Sequence, residues 1–334
     1  MPIEIRNPAA PDQIVATYDE TQDNALDEVV ARARAAQLKW AALPQPERGV
    51  MVTNFVNALE TRSEEIAKSI TKEMGKPLAE ARGEAMKALG EARASVARAN
   101  APIGEVFGSQ IPGTVSYSTR RPRGVILGIN PWNFPFSTPM RKAIPALVYG
   151  NAIILKPASL TPGAVALMAE VAASTLPENL VQAVIGRGEL GQALAEHRGI
   201  DAVSFTGSVE VGKRVATAAA GHLAEVSLEL GGKNPAILND ASDLEKVLDQ
   251  ILLAAFAVCG QRCTAVSRVI VHRDIEEAVV LGEKILVLGN SCNRTPQVID
   301  NHLSGEIDKR TDPEFIKRCT DLRELLALQN NRVT

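Results

Sequence analysis

The 334-residue chain is short of the residues that mark several functional classes. Its four cysteines, Cys259, Cys263, Cys292 and Cys319, are too sparse for a disulfide scaffold at this length. Four histidines, with no Cys/His grouping at zinc-ligand spacing, supply no metal-site pattern. Phe, Trp and Tyr make up only 4% of the residues, too few for a platform that stacks single-stranded bases. The net charge of -3 lacks the basic surplus that a nucleic-acid or anionic-membrane partner requires. No apolar run reaches the roughly 18 residues of a bilayer span. The segment Met1-Pro2-Ile3-Glu4-Ile5-Arg6 has no basic stretch leading into an apolar one, so no secretory signal is expected. The expectation is a cytoplasmic protein with reduced thiols, no metal, no nucleic-acid partner and no membrane partner.

What is present is the composition of a folded chain, 46% hydrophobic and 22% charged, long enough for one large or two ordinary domains. The first 100 or so residues have helical spacing. Leu26, Val29, Val30, Ala33 and Trp40 share one face, and Phe55, Val56 and Leu59 another. Ser63-Glu64-Glu65-Ile66 opens a third helix that Gly75 and Pro77 close, and 78–100 reads as one Ala-rich helix. Residues 111–123 alternate around Pro112-Gly113 and predict a strand or hairpin. From 124 onward, short apolar runs at 124–129, 152–155, 180–185, 202–205 and 224–230 alternate with helical stretches at 139–148, 162–174, 189–196 and 208–219. That alternation predicts right-handed βαβ crossovers, hence an α/β fold with a parallel sheet whose ligands bind beyond the carboxyl ends of its strands. A helix at 243–258 and a strand at 266–271 follow. Beyond residue 274 the pattern loses order: 281–288 is apolar, 289–312 polar and irregular, and 313–328 an amphipathic helix using Phe315, Ile316, Cys319, Leu322 and Leu326.

Several residues could carry chemistry, each with a plainer alternative. Cys263 follows Cys259-Gly260-Gln261-Arg262 between a predicted helix and strand, where Arg262 and oriented backbone N–H groups favour a thiolate; the alternative is a small buried apolar residue. Cys259, one helical turn earlier, is expected to point into the core. Glu229, in Leu228-Glu229-Leu230-Gly231-Gly232-Lys233, is expected to be partly desolvated and so suited to general-base work, or else an exposed edge-strand carboxylate. Pro131-Trp132-Asn133-Phe134-Pro135 presents a neutral amide donor, suited to an oxyanion, on a rigid turn that also reads as purely structural. Gly186-Arg187-Gly188-Glu189-Leu190-Gly191 and Phe205-Thr206-Gly207-Ser208 each join a strand to a helix, and a phosphate could sit at either helix N-terminus; a tight βα turn is the alternative. Lys156, in Lys156-Pro157-Ala158-Ser159, is a donor for ribose or phosphate, or a solvated lysine.

The order of these segments is more informative than any one of them. Pro-Trp-Asn-Phe-Pro at 131–135, Lys-Pro-Ala-Ser at 156–159, Phe-Thr-Gly-Ser at 205–208, Leu-Glu-Leu-Gly-Gly-Lys at 228–233 and Gly-Gln-Arg-Cys at 260–263 occur in sequence, preceded by Glu73-Met74-Gly75-Lys76-Pro77. The chain resembles the aldehyde dehydrogenase superfamily from about Asn24 to Ile275, and within it the semialdehyde dehydrogenases. The resemblance implies a Rossmann-like parallel sheet with N-terminal helices and an incomplete second α/β catalytic lobe. It divides the chain into a helical part of the cofactor domain (1–110), an oligomerisation hairpin (111–123), the NAD(P)-binding domain (124–230), a partial catalytic domain (231–275) and a divergent tail (276–334). It implies Cys263 as the nucleophile toward an aldehyde, Asn133 and the Cys263 N–H as oxyanion donors, and Glu229 as the base that activates water to hydrolyse the thioester. It also implies Lys156 and Ser159 at the adenosine ribose, Gly207 and Ser208 at the pyrophosphate, Trp132 and Leu230 lining the same cleft, and Asn133 and Ala158 among the cofactor-binding residues. Family members that prefer NAD often carry Glu where this chain has Ser159; a Glu repels a 2′-phosphate and Ser does not, so NADP is favoured, with NAD open.

The family's downstream Glu-x-Phe-Gly-Pro segment is absent, and the residues after about Ile275 do not resemble it, which reads as a truncation of the catalytic lobe. Two readings follow: an NAD(P)-dependent aldehyde dehydrogenase, or an inactive relic that binds nucleotide, as a homo-oligomer or paired with a full-length homologue. A Cys–Glu acyl-transfer enzyme without a redox step is a third.

Overall fold

The structure, a computed structural model, describes residues 2–238, 244–271, 284–287, 297–300, 302–303 and 312–330. The chain forms two units, Met1–Gly231 and Gly232–Thr334.

The first unit opens with an antiparallel hairpin, β1 (Ile3–Asn7) and β2 (Ala10–Tyr18), where the sequence reading expects helices. Ile3 and Ile5 are buried, and two inward residues are too short an alternation to read as a strand in advance. Helices α1 (Leu26–Ala41), α2 (Gln45–Thr61), α3 (Ser63–Met74) and α4 (Leu78–Val96) follow. The inward faces are those the spacing predicts: Leu26, Val29, Val30, Ala33 and Trp40 on α1, and Phe55, Val56 and Leu59 on α2, are all buried. Trp40 Nε1 donates to Leu147 O at 2.8 Å, so the indole N–H is satisfied inside the core. Gly75, at φ 76°, ends α3 in the left-handed conformation that glycine adopts without steric cost.

The next hairpin pairs β3 (Gly104–Phe107) with β4 (Ser116–Thr119). It turns through Pro112-Gly113 as the sequence suggests, but its first strand lies upstream of the predicted 111–123 segment, and 120–123 are not strand. Val106, Phe107 and Tyr117 on this hairpin are exposed.

Then comes the alternating half: β5 (Val125–Ile129), α5 (Ser137–Val148), β6 (Ala152–Lys156), α6 (Gly163–Thr175), β7 (Val181–Ala183), α7 (Gly188–Glu196), β8 (Ala202–Gly207), α8 (Val209–Ala220) and β9 (Glu225–Leu230). The five strands pair in parallel in the order β7-β6-β5-β8-β9. Every residue of β6 is buried, as helices on both faces of a central strand require.

A buried carboxylate fastens two of these layers. Glu73, near the end of α3, accepts from Tyr18 Oη at 2.8 Å and from the N–H of Gly163, the first residue of α6, at 3.1 Å. Gly163 admits this approach because it has no side chain: a Cβ there would lie 2.2 Å from Ser69 Oγ and 2.5 Å from Glu73 Oε1. Burial raises the Glu73 pKa from 4.5 to about 7, against the pull of the Tyr18 and Gly163 hydrogen bonds. Burial, reinforced by the adjacent carboxylate, likewise raises the Tyr18 phenol above its ordinary range. Between pH 4.5 and 7 the unfolded chain releases the Glu73 proton while the folded chain keeps it. Stability tied to this group is therefore full below pH 4.5 and is lost as pH rises through 7. We expect urea melts of the wild type to lose about 3 kcal/mol relative to Glu73→Gln across that interval. Parallel pH profiles for the two proteins would contradict this.

In the second unit β10 (Asn234–Leu238) pairs in parallel with β11 (Val266–Val271), and α9 (Leu244–Phe256) lies between them in sequence. β12 (Lys284–Val287) and β13 (Gln297–Asp300) form an antiparallel pair, and α10 (Pro313–Asn330) follows. On α10, Phe315, Cys319 and Leu322 are buried as the amphipathic pattern predicts, but Ile316 is exposed. Cys292 and the Leu326 side chain, and most of 289–312, lie outside the described residues. No described helix is long and apolar enough to cross a membrane.

Candidate cofactor cleft and cysteine loop

The strand order defines where a ligand belongs. From β5 the chain winds outward through β6 and β7, then returns with β8 and β9 on the other side. Beyond the carboxyl ends of β5 and β8 the loops diverge, and in open parallel sheets that crevice takes the ligand. Trp132 and Asn133 follow β5; Lys156, Ala158 and Ser159 end and follow β6; Gly207 and Ser208 end and follow β8; Glu229 and Leu230 close β9. Nine positions singled out from the sequence thus gather at one edge of one sheet.

Buried polar contacts hold the Asn133 turn. Lys76 Nζ donates to Asn133 O at 2.8 Å and lies 4.4 Å from the centroid of the Phe134 ring. The same ammonium pairs with Glu84, and the two side chains are only 1% and 2% exposed. Glu84 in turn accepts from the N–H groups of Phe136 and Ser137, both at 3.1 Å, at the N-terminus of α5. A carboxylate there satisfies orphan N–H groups and favours the positive end of the helix dipole. At the start of the turn, the Asn130 N–H donates to Lys156 O at 3.0 Å and Asn130 Nδ2 to Gly128 O at 2.8 Å, which ties the loop to the end of β6.

Lys156 is buried, not solvated, and its Nζ donates to Pro157 O at 2.9 Å. Burial lowers its pKa from 10.5 to about 8, and the charges of Glu189 and Glu20 oppose that fall, so it stays cationic at neutral pH. Ser159 is half-buried. Ser208 caps α8, its Oγ accepting from the Val211 N–H at 3.3 Å.

Glu229 takes the second of its two readings, the edge-strand carboxylate. It is exposed, on a strand that among the described residues pairs only with β8 and forms the sheet edge. Its register partner is Thr206 on β8. There the structure adds a residue that sequence reasoning missed. Lys142, on α5, donates to Thr206 Oγ1 at 2.7 Å and to Ser204 Oγ at 3.2 Å. Burial lowers its pKa to about 8, and the Glu229 carboxylate pulls the other way. In sequence Lys142 follows Arg141 on a helix and looks like one more surface cation.

Cys263 belongs to the second unit and is exposed. After α9 the chain reverses through Val258, Cys259 and Gly260, with φ of 57°, 53° and 70°. The Gln261 N–H closes the turn on Val258 O at 2.9 Å. Arg262 Nη2 donates to Ala254 O at 3.1 Å, and Asn234 Nδ2 donates to Cys263 O at 2.5 Å. Cys259 is exposed, contrary to the core position that helical spacing suggests. The left-handed turn takes it off the helix.

The profile of the aldehyde dehydrogenase family matches residues 1–285, a longer stretch than the motifs alone mark out. The α-ketoglutaric semialdehyde dehydrogenase of Bacillus subtilis (strain 168) is 38% identical over 295 residues, covering 86% of this chain and 60% of that protein. Among solved structures, the lactaldehyde dehydrogenase of Escherichia coli superposes with a TM-score of 0.79 at 34% identity, covering 83% of this chain and 58% of that one. PnpE in complex with nicotinamide adenine dinucleotide gives 0.79 at 32% identity, covering 83% and 57%. The chain therefore spans about 60% of the length of the relatives it matches.

Proposed function

The chain belongs to the aldehyde dehydrogenase family, and from that membership we propose that it oxidises a short semialdehyde to the carboxylic acid with NADP or NAD as acceptor. The observation that carries the reading is the gathering of the family's cofactor motifs at the switch point of a single parallel sheet.

The residues fit a dinucleotide. Lys156 and Ser159 offer donors for the adenosine ribose, and Gly207, Ser208 and the N-terminus of α8 offer N–H groups and a positive dipole end for the pyrophosphate. Trp132, Asn133, Ala158 and Leu230 line the rest of the cleft. When bound, the nicotinamide accepts the hydride that leaves the substrate carbon. The chain's own residues do the remainder. The Cys263 thiolate attacks the aldehyde carbon. The Asn133 amide and the Cys263 N–H donate to the oxyanion. After hydride loss the acyl group is a thioester on Cys263. Glu229 takes a proton from the water that hydrolyses it. The reaction requires a reduced thiol, which supports a cytoplasmic location. The exposed Val106, Phe107 and Tyr117 support use of the β3–β4 hairpin in a homo-oligomer or in pairing with a full-length homologue.

The test is NAD(P)H absorbance on mixing the purified chain with short semialdehydes and each cofactor. Steady formation of reduced cofactor supports the enzyme. A folded chain that binds nucleotide without turnover leaves the non-catalytic reading. Hydrolysis of acyl thioesters with no nicotinamide present would point to acyl transfer instead.

Ser159 sets the cofactor preference on this reading. Ser159→Glu adds a carboxylate where the 2′-phosphate of NADP would lie. We expect the ratio of NADPH to NADH dissociation constants to rise about tenfold, read by nucleotide fluorescence titration. An unchanged ratio would remove Ser159 from the ribose site.

A further inference from the structure

We propose that Cys259 is the resolving thiol of Cys263, so that a peroxide converts the pair to a reversible disulfide instead of destroying the nucleophile. The inference rests on reading Cys263 as the reactive thiol. Both cysteines are exposed, whereas Cys319 is buried. Fully extended, a four-residue spacing would hold the two Cα atoms about 13 Å apart, beyond the roughly 4.4–6.8 Å that a disulfide spans. The chain between them is not extended: it turns through Val258, Cys259 and Gly260 at positive φ, and the Gln261 N–H closes that turn on Val258 O. The stretch between the cysteines is tethered by the Arg262 contact to Ala254 O, and the Cys263 carbonyl is held by Asn234.

The chemistry balances with a peroxide as the oxidant. The Cys263 thiolate attacks one peroxide oxygen, the O–O bond breaks, hydroxide leaves, and Cys263 becomes a sulfenic acid. The Cys259 thiolate then attacks the sulfenic sulfur, the S–O bond breaks, and a second hydroxide leaves as the S–S bond forms. With the two thiol protons, both hydroxides become water: two thiols are oxidised and one peroxide is reduced. Without a nearby thiol, a sulfenic acid proceeds to the sulfinic acid, which common thiol reductants do not reverse.

Trypsin separates the pair, because Arg262 lies between them: residues 247–262 carry Cys259 and residues 263–268 carry Cys263. The experiment treats the full chain with a small excess of hydrogen peroxide and maps its tryptic peptides by mass before and after dithiothreitol. We expect 247–262 linked to 263–268 in the wild type, with most Cys263 recovered as thiol on reduction. In Cys259→Ser we expect Cys263 two oxygens heavier and not recovered. A wild type whose Cys263 is overoxidised beside a free Cys259, or is linked to the Cys292 or Cys319 peptide, overturns the proposal. The map reads a bond and not turnover, so it stands or falls separately from the aldehyde assay. If the chain is active, peroxide-inactivated wild type regains NAD(P)H formation on reduction and Cys259→Ser does not.

Discussion

Cys263→Ser is expected to lower NAD(P)H formation at least about 10⁴-fold while leaving nucleotide affinity unchanged. A serine hydroxyl stays protonated at neutral pH, whereas a thiol supplies a usable fraction of thiolate and is the stronger nucleophile. Loss of folding would not explain such a result. The Cys263 side chain is exposed, so its replacement is expected to change stability by no more than about 0.5 kcal/mol. Nor would loss of cofactor binding, because Lys156, Ser159, Gly207 and Ser208 all belong to the first unit and Cys263 to the second. Absorbance and fluorescence titration on the same preparations separate the three. Retained turnover in the serine variant would move the nucleophile elsewhere.

The second large effect concerns stability. Lys76→Met is expected to cost about 3–5 kcal/mol, because it leaves the Glu84 carboxylate buried without its counter-charge. The pair is almost fully enclosed, and Glu84 also holds the first turn of α5 through Phe136 and Ser137. The methionine keeps much of the lysine stem's volume, so the loss is electrostatic and not a cavity. Adding Glu84→Gln to Lys76→Met should restore part of the stability, since no buried charge then remains. A double-mutant cycle in urea reads this coupling directly. Additive losses would mean the two charges act independently. The substitution also removes the donor to Asn133 O, so any residual turnover should fall further than nucleotide binding does.

Lys76 also shows what was legible in the sequence. Gly75-Lys76-Pro77 could be read as a helix stop and as part of a family resemblance, but a buried ammonium gripping the Asn133 turn could not: Lys76 sits in the link before α4, its partner Glu84 lies two turns into that helix, and the Asn133 turn is far along the chain. The alternation from β5 to β9 was readable because each strand is a short apolar run bounded by Gly, Pro or polar residues, which is what a doubly covered parallel strand looks like. The cofactor positions followed, since they sit on the turns between those runs. The β1–β2 hairpin escaped notice, as did β10, where Pro235 breaks the strand pattern. Glu229 stood open between a desolvated base and an exposed edge carboxylate because a sequence does not reveal which strand becomes the sheet edge. Lys156 and Lys142 were hidden for the opposite reason: long stems let a lysine thread a buried path, and nothing local distinguishes that from a solvated side chain. Cys259 is exposed along with its stretch, since no residue described from 246 to 260 is buried, and helical spacing does not reveal whether a helix meets a core.

The most direct test of the central claim is an acid-quenched first turnover. The purified chain is mixed with a short semialdehyde and NADP, stopped within the first cycle, digested with trypsin and weighed, with NADPH read from the same sample. We expect one acyl group on the 263–268 peptide for each NADPH formed before hydrolysis. A folded, nucleotide-binding chain that yields neither adduct nor NADPH would contradict an active dehydrogenase and leave a family member that binds its cofactor without using it.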